Sequence, residues 1–564
     1  MPYNLRNIRT PKLKGAGLRV VTTLMENALL RPLLLPKLFR DTGIAAFREY
    51  RPQEEPTRHP LVPPGQPVAE PEDRCSIAQV AGMVAASVPE AAGHRFASIT
   101  DYARAYQEGD LSPVEVAEKV IAASETSNRS TPPLRAIIKC EAEDVRRQAA
   151  ESARRLAEGN PRSLLEGVPV AIKNELDTTP YATQVGTGFL GDEVARTDAT
   201  AVARLRAAGA LLVGKTNMFE IGISPTGNNP IHGFARNPYS LHHDAGGSSG
   251  GSAAAVGAGL VPLALGADGG GSIRIPAAHC GIVGLKPTFG RTSEAGAFPL
   301  CESVAHVGPM GATARDVAIG YALCAGPDQK DPLSLQQPAV QLPDFSNHEL
   351  SGITLGIYRP WFDDSSSEIL KACRETMQAL EQAGATIKEV TIAGLEEARV
   401  AHAIIILTEM AAAMEPYYGN HRKDFSHPAR LSLALARTFS HSDYDRAQRI
   451  RTEAMKEWER VMTEVDAVLT PTTACPPPRL DPRTTTLGES DMSLQTQLMK
   501  FIVCGNLTGA PAISFPAGYT EAGLPIGLQA ITRHWQEHLL LRLAHVADLE
   551  FERSKPAVFH DILA

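Results

Sequence analysis

Apolar and polar residues alternate along the chain so as to give two kinds of segment: helices with one apolar face, and short runs apolar on both faces. SPVEVAEKVIAA predicts a helix with Ser112 as N-cap, Pro113 in its first turn and Glu115 completing a capping box. EAEDVRRQAAESARRLAE predicts a second helix over 141–158, stopped by Gly159. GVPVAIK is a short β-rich run that ends at Lys173. A helix over 198–208 leads into the apolar run ALLVG; LVPLAL, DAVLTPTT and APAISFPAG read as further buried strands, and 535–549 as a terminal helix. Helices alternating with short buried strands predict an α/β sheet covered by helices. Residues 340–460 differ. EILKACRETMQALEQAGA and ARVAHAIIILTEMAAAM are helical patterns, either a layer over the active site or a peripheral insertion.

The ends of the pattern add two segments. Residues 1–19 carry Arg6, Arg9, Lys12, Lys14 and Arg19 and no acid. Leu18, Val21, Met25 and Ala28 then recur at helical spacing. A basic helix with an apolar face either lies in a membrane interface or packs on its own protein. Glu26, Asn27, Arg31, Pro32 and Pro36 interrupt the run, which excludes a signal peptide. Seven prolines in residues 51–74 then describe an extended linker or strap. The expected organisation is a helical extension over 1–50, a strap over 51–94 and a main body over 95–564, with 340–460 as a more variable helical insertion.

Composition narrows the possibilities. The formal net charge of −8 on 564 residues leaves no electrostatic footprint for nucleic acid. The eight cysteines are scattered without a C-x-x-C pair, which fits a reducing compartment and argues against a zinc site. No ligand spacing points to a metal, and none to a cofactor. No uncharged apolar stretch reaches the ~18 residues of a membrane-spanning helix. The expected location is intracellular, either cytoplasmic or peripherally on a membrane.

Candidate chemistry lies in AGGSSGGSAAAVGAGLVPLALGADGGGSIRIPAAHCG, residues 245–281. Clustered glycines let backbone amides converge on an anion, either a phosphate or the oxyanion of a tetrahedral intermediate. The glycine patterns of nucleotide loops are missing. GGSSG matches a nucleophile elbow at Ser248 and Ser249, but the NPYSLHHDA before it reads as polar and turn-like where an elbow needs a strand, which argues against that elbow and its triad. Structural roles are expected for His232, His242, His243 and His279. Ser272 follows Gly269, Gly270 and Gly271, whose amides, with its own, could form an oxyanion hole beside its hydroxyl. A serine nucleophile needs a base, and Lys173, at the end of an apolar strand, is a candidate. Burial would favour the neutral, basic amine. Alone, however, such a lysine reads as a solvated charge.

Three segments together resemble the amidase signature family. GVPVAIKN is similar to its lysine motif, AGGSSGGSAAAVGAG to its glycine–serine loop, and GADGGGSIRIPAAHCGIVGLKP to its nucleophile motif. The 24 positions from Ser248 to Ser272 also fit. The resemblance covers about 95–560. It implies the family's α/β fold, a central mixed twisted sheet with helices on both faces. It implies a Ser–cis-Ser–Lys triad too, with Lys173 as base, Ser248 as bridging serine behind a cis peptide, and Ser272 as nucleophile. Gly269 to Ser272 would hold the oxyanion. The family usually has an acid after the lysine; here it is Asn174, which would help keep Lys173 neutral.

The N-terminal extension, the proline-rich strap, SITDYARAY, TGNNPIHGFARNP and KPAVFHDIL resemble the plant-type fatty acid amide hydrolase group more closely. That likeness implies long-chain acyl amides such as N-acylethanolamines as substrates, a homodimer, and membrane contact through residues 18–40. Three alternatives stand beside it: an amidase for aryl, short aliphatic or peptide-like amides, the amidase subunit of a transamidase, and a non-catalytic scaffold.

Overall fold

The computed structural model describes every residue except 1, 2, 9, 66, 70–79, 81–92 and 485. Part of the expected strap, and Cys75 within it, therefore lies outside the described residues. The local signals act as their chemistry dictates. Glu115 N–H donates to the Ser112 hydroxyl at 3.3 Å, Ser112 N–H donates to the Glu115 carboxylate at 2.8 Å, and the helix Pro113–Arg129 follows. The next helix, Ala142–Ala157, buries Val145, Gln148, Ala149 and Ser152 along one stripe. After it the chain turns at Gly159, whose φ of 68° suits glycine.

The core is one eleven-stranded sheet. In chain order its strands are β1 (Ile137–Lys139), β2 (Pro169–Lys173), β3 (Leu211–Thr216), β4 (Leu263–Ala267), β5 (Val283–Lys286), β6 (Val307–Gly311), β7 (Thr354–Ile357), β8 (Thr386–Glu389), β9 (Ala467–Pro471), β10 (Ala512–Tyr519) and β11 (Pro525–Thr532). Across the sheet the order is β8-β7-β9-β11-β10-β5-β6-β4-β2-β3-β1. β2 is parallel to both β3 and β4, whereas β4–β6–β5–β10–β11 run antiparallel, so the sheet is mixed. Every residue of β2, β3, β4, β5, β6, β9 and β11 is buried. Successive strand side chains point to opposite faces, so burial at every position means helices cover both.

The 340–460 region is not wholly helical. It contributes β7 and β8, a parallel edge pair that continues the sheet beyond β9. Each has four residues, too short to show a period, and β8 (TIKE) is a polar edge strand with three exposed positions. The long helix Leu395–His421 of this region packs against His441–Met462 and Val503–Thr508 and forms a wall of the site described below.

The N-terminal extension packs on this helical layer. Its first helix, Gly15–Glu26, buries Leu18, Thr22 and Met25 and packs on the helix His427–Ala436; Glu26 pairs with Arg430 at 2.6 Å. The buried stripe thus steps through Thr22, while Val21 is half-buried and Ala28 exposed. Thr22 fits because its hydroxyl donates to Leu18 O at 2.8 Å and leaves a methyl for packing. A second helix, Arg31–Thr42, leaves Leu33 at 77 % exposure, and Leu29 in the turn before it at 87 %. The described part of the strap is tied to the body: Thr57 N–H donates to Gln448 O, the Trp535 indole N–H to Val62 O, and Ala69 N–H to Gln337 O. Among the described residues no helix is long and apolar enough to cross a membrane.

Candidate active site

β2 and β4 are parallel neighbours, and their carboxyl ends supply the two halves of the site. Lys173, the last residue of β2, is only 1 % exposed. Its Nζ lies 2.9 Å from Ser248 Oγ, 3.0 Å from the carbonyl oxygen of Ala267 and 2.7 Å from Glu175 Oε2. Ala267 closes β4, and the loop from Asp268 to Ser272 leads from it into the helix Arg274–Cys280.

The glycine–serine loop fits because parts of it have no room for a side chain. A Cβ on Gly247 would fall 2.0 Å from Thr226 O. The Gly247–Ser248 peptide bond is cis. Ser249 and Ser252 serve the scaffold: the Ser249 hydroxyl meets the backbone of Ala267, and Ser252 Oγ lies 2.7 Å from Thr216 Oγ1 and donates to Leu265 O at 3.0 Å. Ser249 N–H donates to the carbonyl of Ser272 at 3.2 Å, which sets the two serine loops side by side. Lys173 and Ser248 are thus directly joined; no hydrogen bond links Ser248 Oγ to Ser272 Oγ.

Ser272 is 8 % exposed and opens onto a cavity of about 170 Å³. Gly222, Ile223, Ser224, Pro225 and Gly270 line it. His402, Ile406, Leu407 and Met410 of the long helix, Met499, and Ile8 of the N-terminal extension close it. The wall is mainly apolar.

A buried polar network sets the loop before Ser272. Asp268 and Arg274, both fully buried, pair through Nε–Oδ2 and Nη2–Oδ1 at 3.0 Å each. Arg274 also donates to Gln529 Oε1 at 2.7 Å and Asn506 Oδ1 at 2.5 Å. Burial alone would push the Asp268 carboxyl up; the Arg274 charge and the donors around it hold it well below the ordinary range. Breaking such a pair from one side typically costs about 3–5 kcal/mol. Gly271, at φ 99°, gives its N–H to Asp268 Oδ1 at 2.7 Å, and a Cβ there would meet Ile502 at 2.6 Å. The expected oxyanion hole drew on the four amides of Gly269 to Ser272. Gly271 N–H is committed to Asp268, while those of Gly269, Gly270 and Ser272 have no acceptor among the described residues. Asp268 and Arg274 shape the loop.

Two participants escaped the sequence reading. Asn174 does not face the amine, because its side chain turns aside and its Oδ1 accepts from Gln184 N–H. The chain turns directly after Lys173, Leu176 N–H donating to Lys173 O at 3.1 Å, and this turn brings Glu175 rather than Asn174 to the amine, so that Glu175 supplies the carboxylate. His402 is the second. Its Nε2 lies 2.8 Å from Gly269 O, and burial lowers its pKa to about 4, so the ring is neutral and donates there. It sits 133 positions from Gly269, beyond any local motif. The four histidines expected to be structural make no bond to Ser272: His232 meets Thr187 O, His243 meets Ser240, both ring nitrogens of the buried His279 lack a protein partner, and His242 makes no side-chain bond among the described residues.

Comparison with known proteins gives the family. The sequence family described as Amidase matches residues 116–541. A fatty acid amide hydrolase of Oryza sativa subsp. japonica is 38% identical over 587 aligned positions, which span 100% of this chain and 96% of the relative. A glutamyl-tRNA(Gln) amidotransferase subunit of Koribacter versatilis is 34% identical but matches 67% of this chain, and 83% of its own. The solved structure of a bacterial aryl acylamidase superposes with a TM-score of 0.71 at 28% identity, over 80% of this chain and 95% of that one. This chain therefore belongs to the amidase signature family of hydrolases.

Proposed function

We propose that this hydrolase cleaves the amide bond of fatty acyl amides, such as N-acylethanolamines, into fatty acid and amine. The observation that carries the substrate class is the reach of the resemblance. Likeness to the rice fatty acid amide hydrolase extends over the whole chain, N-terminal extension included, and Ile8 of that extension lines the cavity at Ser272. Glutamyl-tRNA(Gln) amidotransferase subunits of Koribacter versatilis and of a Synechococcus strain match 67% and 81% of the chain.

In the proposed reaction the amine of Lys173 takes a proton from Ser248, which takes one from Ser272. Ser272 Oγ attacks the acyl carbon. The N–H groups of Gly269, Gly270 and Ser272 face the oxyanion, each such donor being worth about 3–4 kcal/mol in a preorganised hole. The proton returns through Ser248 to the leaving amine, since an unprotonated amine leaves poorly. Water then releases the acid. The Ser248–Ser272 contact closes when substrate binds, as catalytic hydrogen bonds commonly tighten in the complex. Val20, Leu29 and Leu33, exposed beside the basic N-terminal helices, are the surface we assign to membrane contact, on an intracellular protein acting as a homodimer.

The test compares turnover of a long-chain N-acylethanolamine with that of an acetylated amine, an anilide and glutamine. The proposal expects the long-chain amide to have the highest kcat/KM. A preference for the anilide would favour an aryl acylamidase, and turnover of glutamine would favour a transamidase component.

A further inference from the structure

Lys173 Nζ faces three acceptors, which is the complement of an ammonium with three N–H donors. A base toward Ser248 must instead hold two hydrogens and a lone pair. One proton has to leave, and of the three neighbours only the Glu175 carboxylate is an ordinary proton acceptor. Transfer from Nζ to Oε2 leaves an amine beside a carboxylic acid, with no net change of charge. Glu175 is only 5 % exposed and would need an outlet to exchange that proton with solvent.

Glu294 lies on the segment paired with it. Phe298 N–H donates to Glu175 O and Asp177 N–H to Gly296 O, each at 2.9 Å, and Leu176 bridges Ala297. Glu294 Oε1 accepts from Val307 N–H at 2.9 Å. Burial, then the charges of Glu175 and Asp331, push its carboxyl up to about 8, against the pull of Lys173. Such a group exchanges protons in both directions near neutral pH.

Glu294 also lines a second cavity, of about 90 Å³, that shares no lining residue with the one at Ser272. A water needs roughly 10–15 Å³ by this kind of measure, so several fit. Thr292 and His306 line it, 4 % and 3 % exposed, and Thr292 Oγ1 and His306 Nε2 have no protein partner. Buried polar atoms without a protein partner are the usual hosts of ordered water. The cavity reaches the surface at Pro299 and Glu302. The charged and titratable groups facing Glu294 are thus Lys173, Glu175, Asp331, His306 and Glu302.

We propose that Glu294 is a positioning residue for the reaction, passing the proton that Lys173 sheds through Glu175 onto water in this second cavity. Each transfer moves one proton between oxygen or nitrogen atoms and forms no other bond. The active site is then served from two sides, substrate on one and protons on the other. The inference rests on the Ser–Ser–Lys reading above.

The test is the pH dependence of Ser272 acylation, followed with a fluorophosphonate probe and with amide turnover, in wild type, Glu294→Gln and Glu294→Asp. Glutamine keeps an acceptor for Val307 N–H but carries no proton. Glu294→Gln is expected to lower acylation about tenfold near neutral pH, the effect of a group one step removed from a base worth 10²–10⁴. Its profile should lose one ionisation while KM stays put, and Glu294→Asp should restore that ionisation. Superimposable wild-type and Glu294→Gln profiles would overturn the relay, as would equal losses in both variants that track a fall in melting temperature. A wild type that does not label at all would sink the hydrolase reading, and this inference with it.

Discussion

Lys173 Nζ lies 2.7 Å from Glu175 Oε2, with the two side chains 1 % and 6 % exposed. The amine that takes a proton from Ser248 in the proposed reaction thus already has a buried carboxylate as partner. Glu175→Gln keeps the shape and removes the charge and the proton acceptor. Amide turnover is expected to fall about 10²-fold, the low end for a group serving a catalytic base. Asn174→Asp is expected to leave the acid limb of the pH profile in place, because residue 174 faces Gln184. A shifted limb in Asn174→Asp with none in Glu175→Gln would reverse the assignment.

In the proposed reaction Lys173 both removes a proton and returns it. Lys173→Ala should therefore damage amide cleavage far more than ester cleavage, since an alkoxide leaves with less help than an amine. Parallel kcat measurements on an amide and ester of one acyl group decide this. Equal losses would mean that the proton reaches the leaving group by another path.

Ile8 closes the cavity from the N-terminal extension and is 7 % exposed. A Trp there fills apolar space beside Met492 and Met499. Ile8→Trp should raise KM for long acyl chains several-fold while sparing short ones, because one methylene in an apolar pocket is worth about 1–3 kcal/mol. A uniform change across chain lengths would remove Ile8 from the acyl path.

Much of this was legible in the sequence, and the limits are instructive. Ser112, Glu115 and Gly159 act within a few residues, so capping chemistry placed their helices. The two serine loops and Lys173 are local motifs, and the fold brings their segments together at the ends of β2 and β4. What escaped depends on distant contacts. His402 meets Gly269 only because a long helix crosses the loop, and Arg274 finds Asn506 and Gln529 more than 230 positions away. β7 and β8 are too short to carry a period. Glu175 sits in the turn after β2, where strand alternation gives no direction, and the family pattern drew the reading to Asn174.

Stability should also depend on pH through buried carboxyls. Burial raises Glu220 to about 7, although the Ser426 N–H and hydroxyl pull it down. Asp244 and Asp316 are likewise lifted to about 7. A carboxyl raised on folding binds its proton more tightly in the folded state. Its contribution is present in full below the unfolded value near 4.5 and is lost as pH rises through about 7. The part contributed by Glu220 should therefore fall between about pH 5 and about pH 8, so over this range the melting temperature of Glu220→Gln should decline less with pH than that of the wild type. A steeper decline in the variant would contradict the assignment.

The most direct measurement of the central claim is mass spectrometry of the protein after reaction with a fluorophosphonate. One adduct per chain is predicted, on the peptide containing Ser272, with none on Ser272→Ala and slowed labelling of Ser248→Ala. An adduct that persists in Ser272→Ala, or that maps to another residue in the wild type, would contradict it.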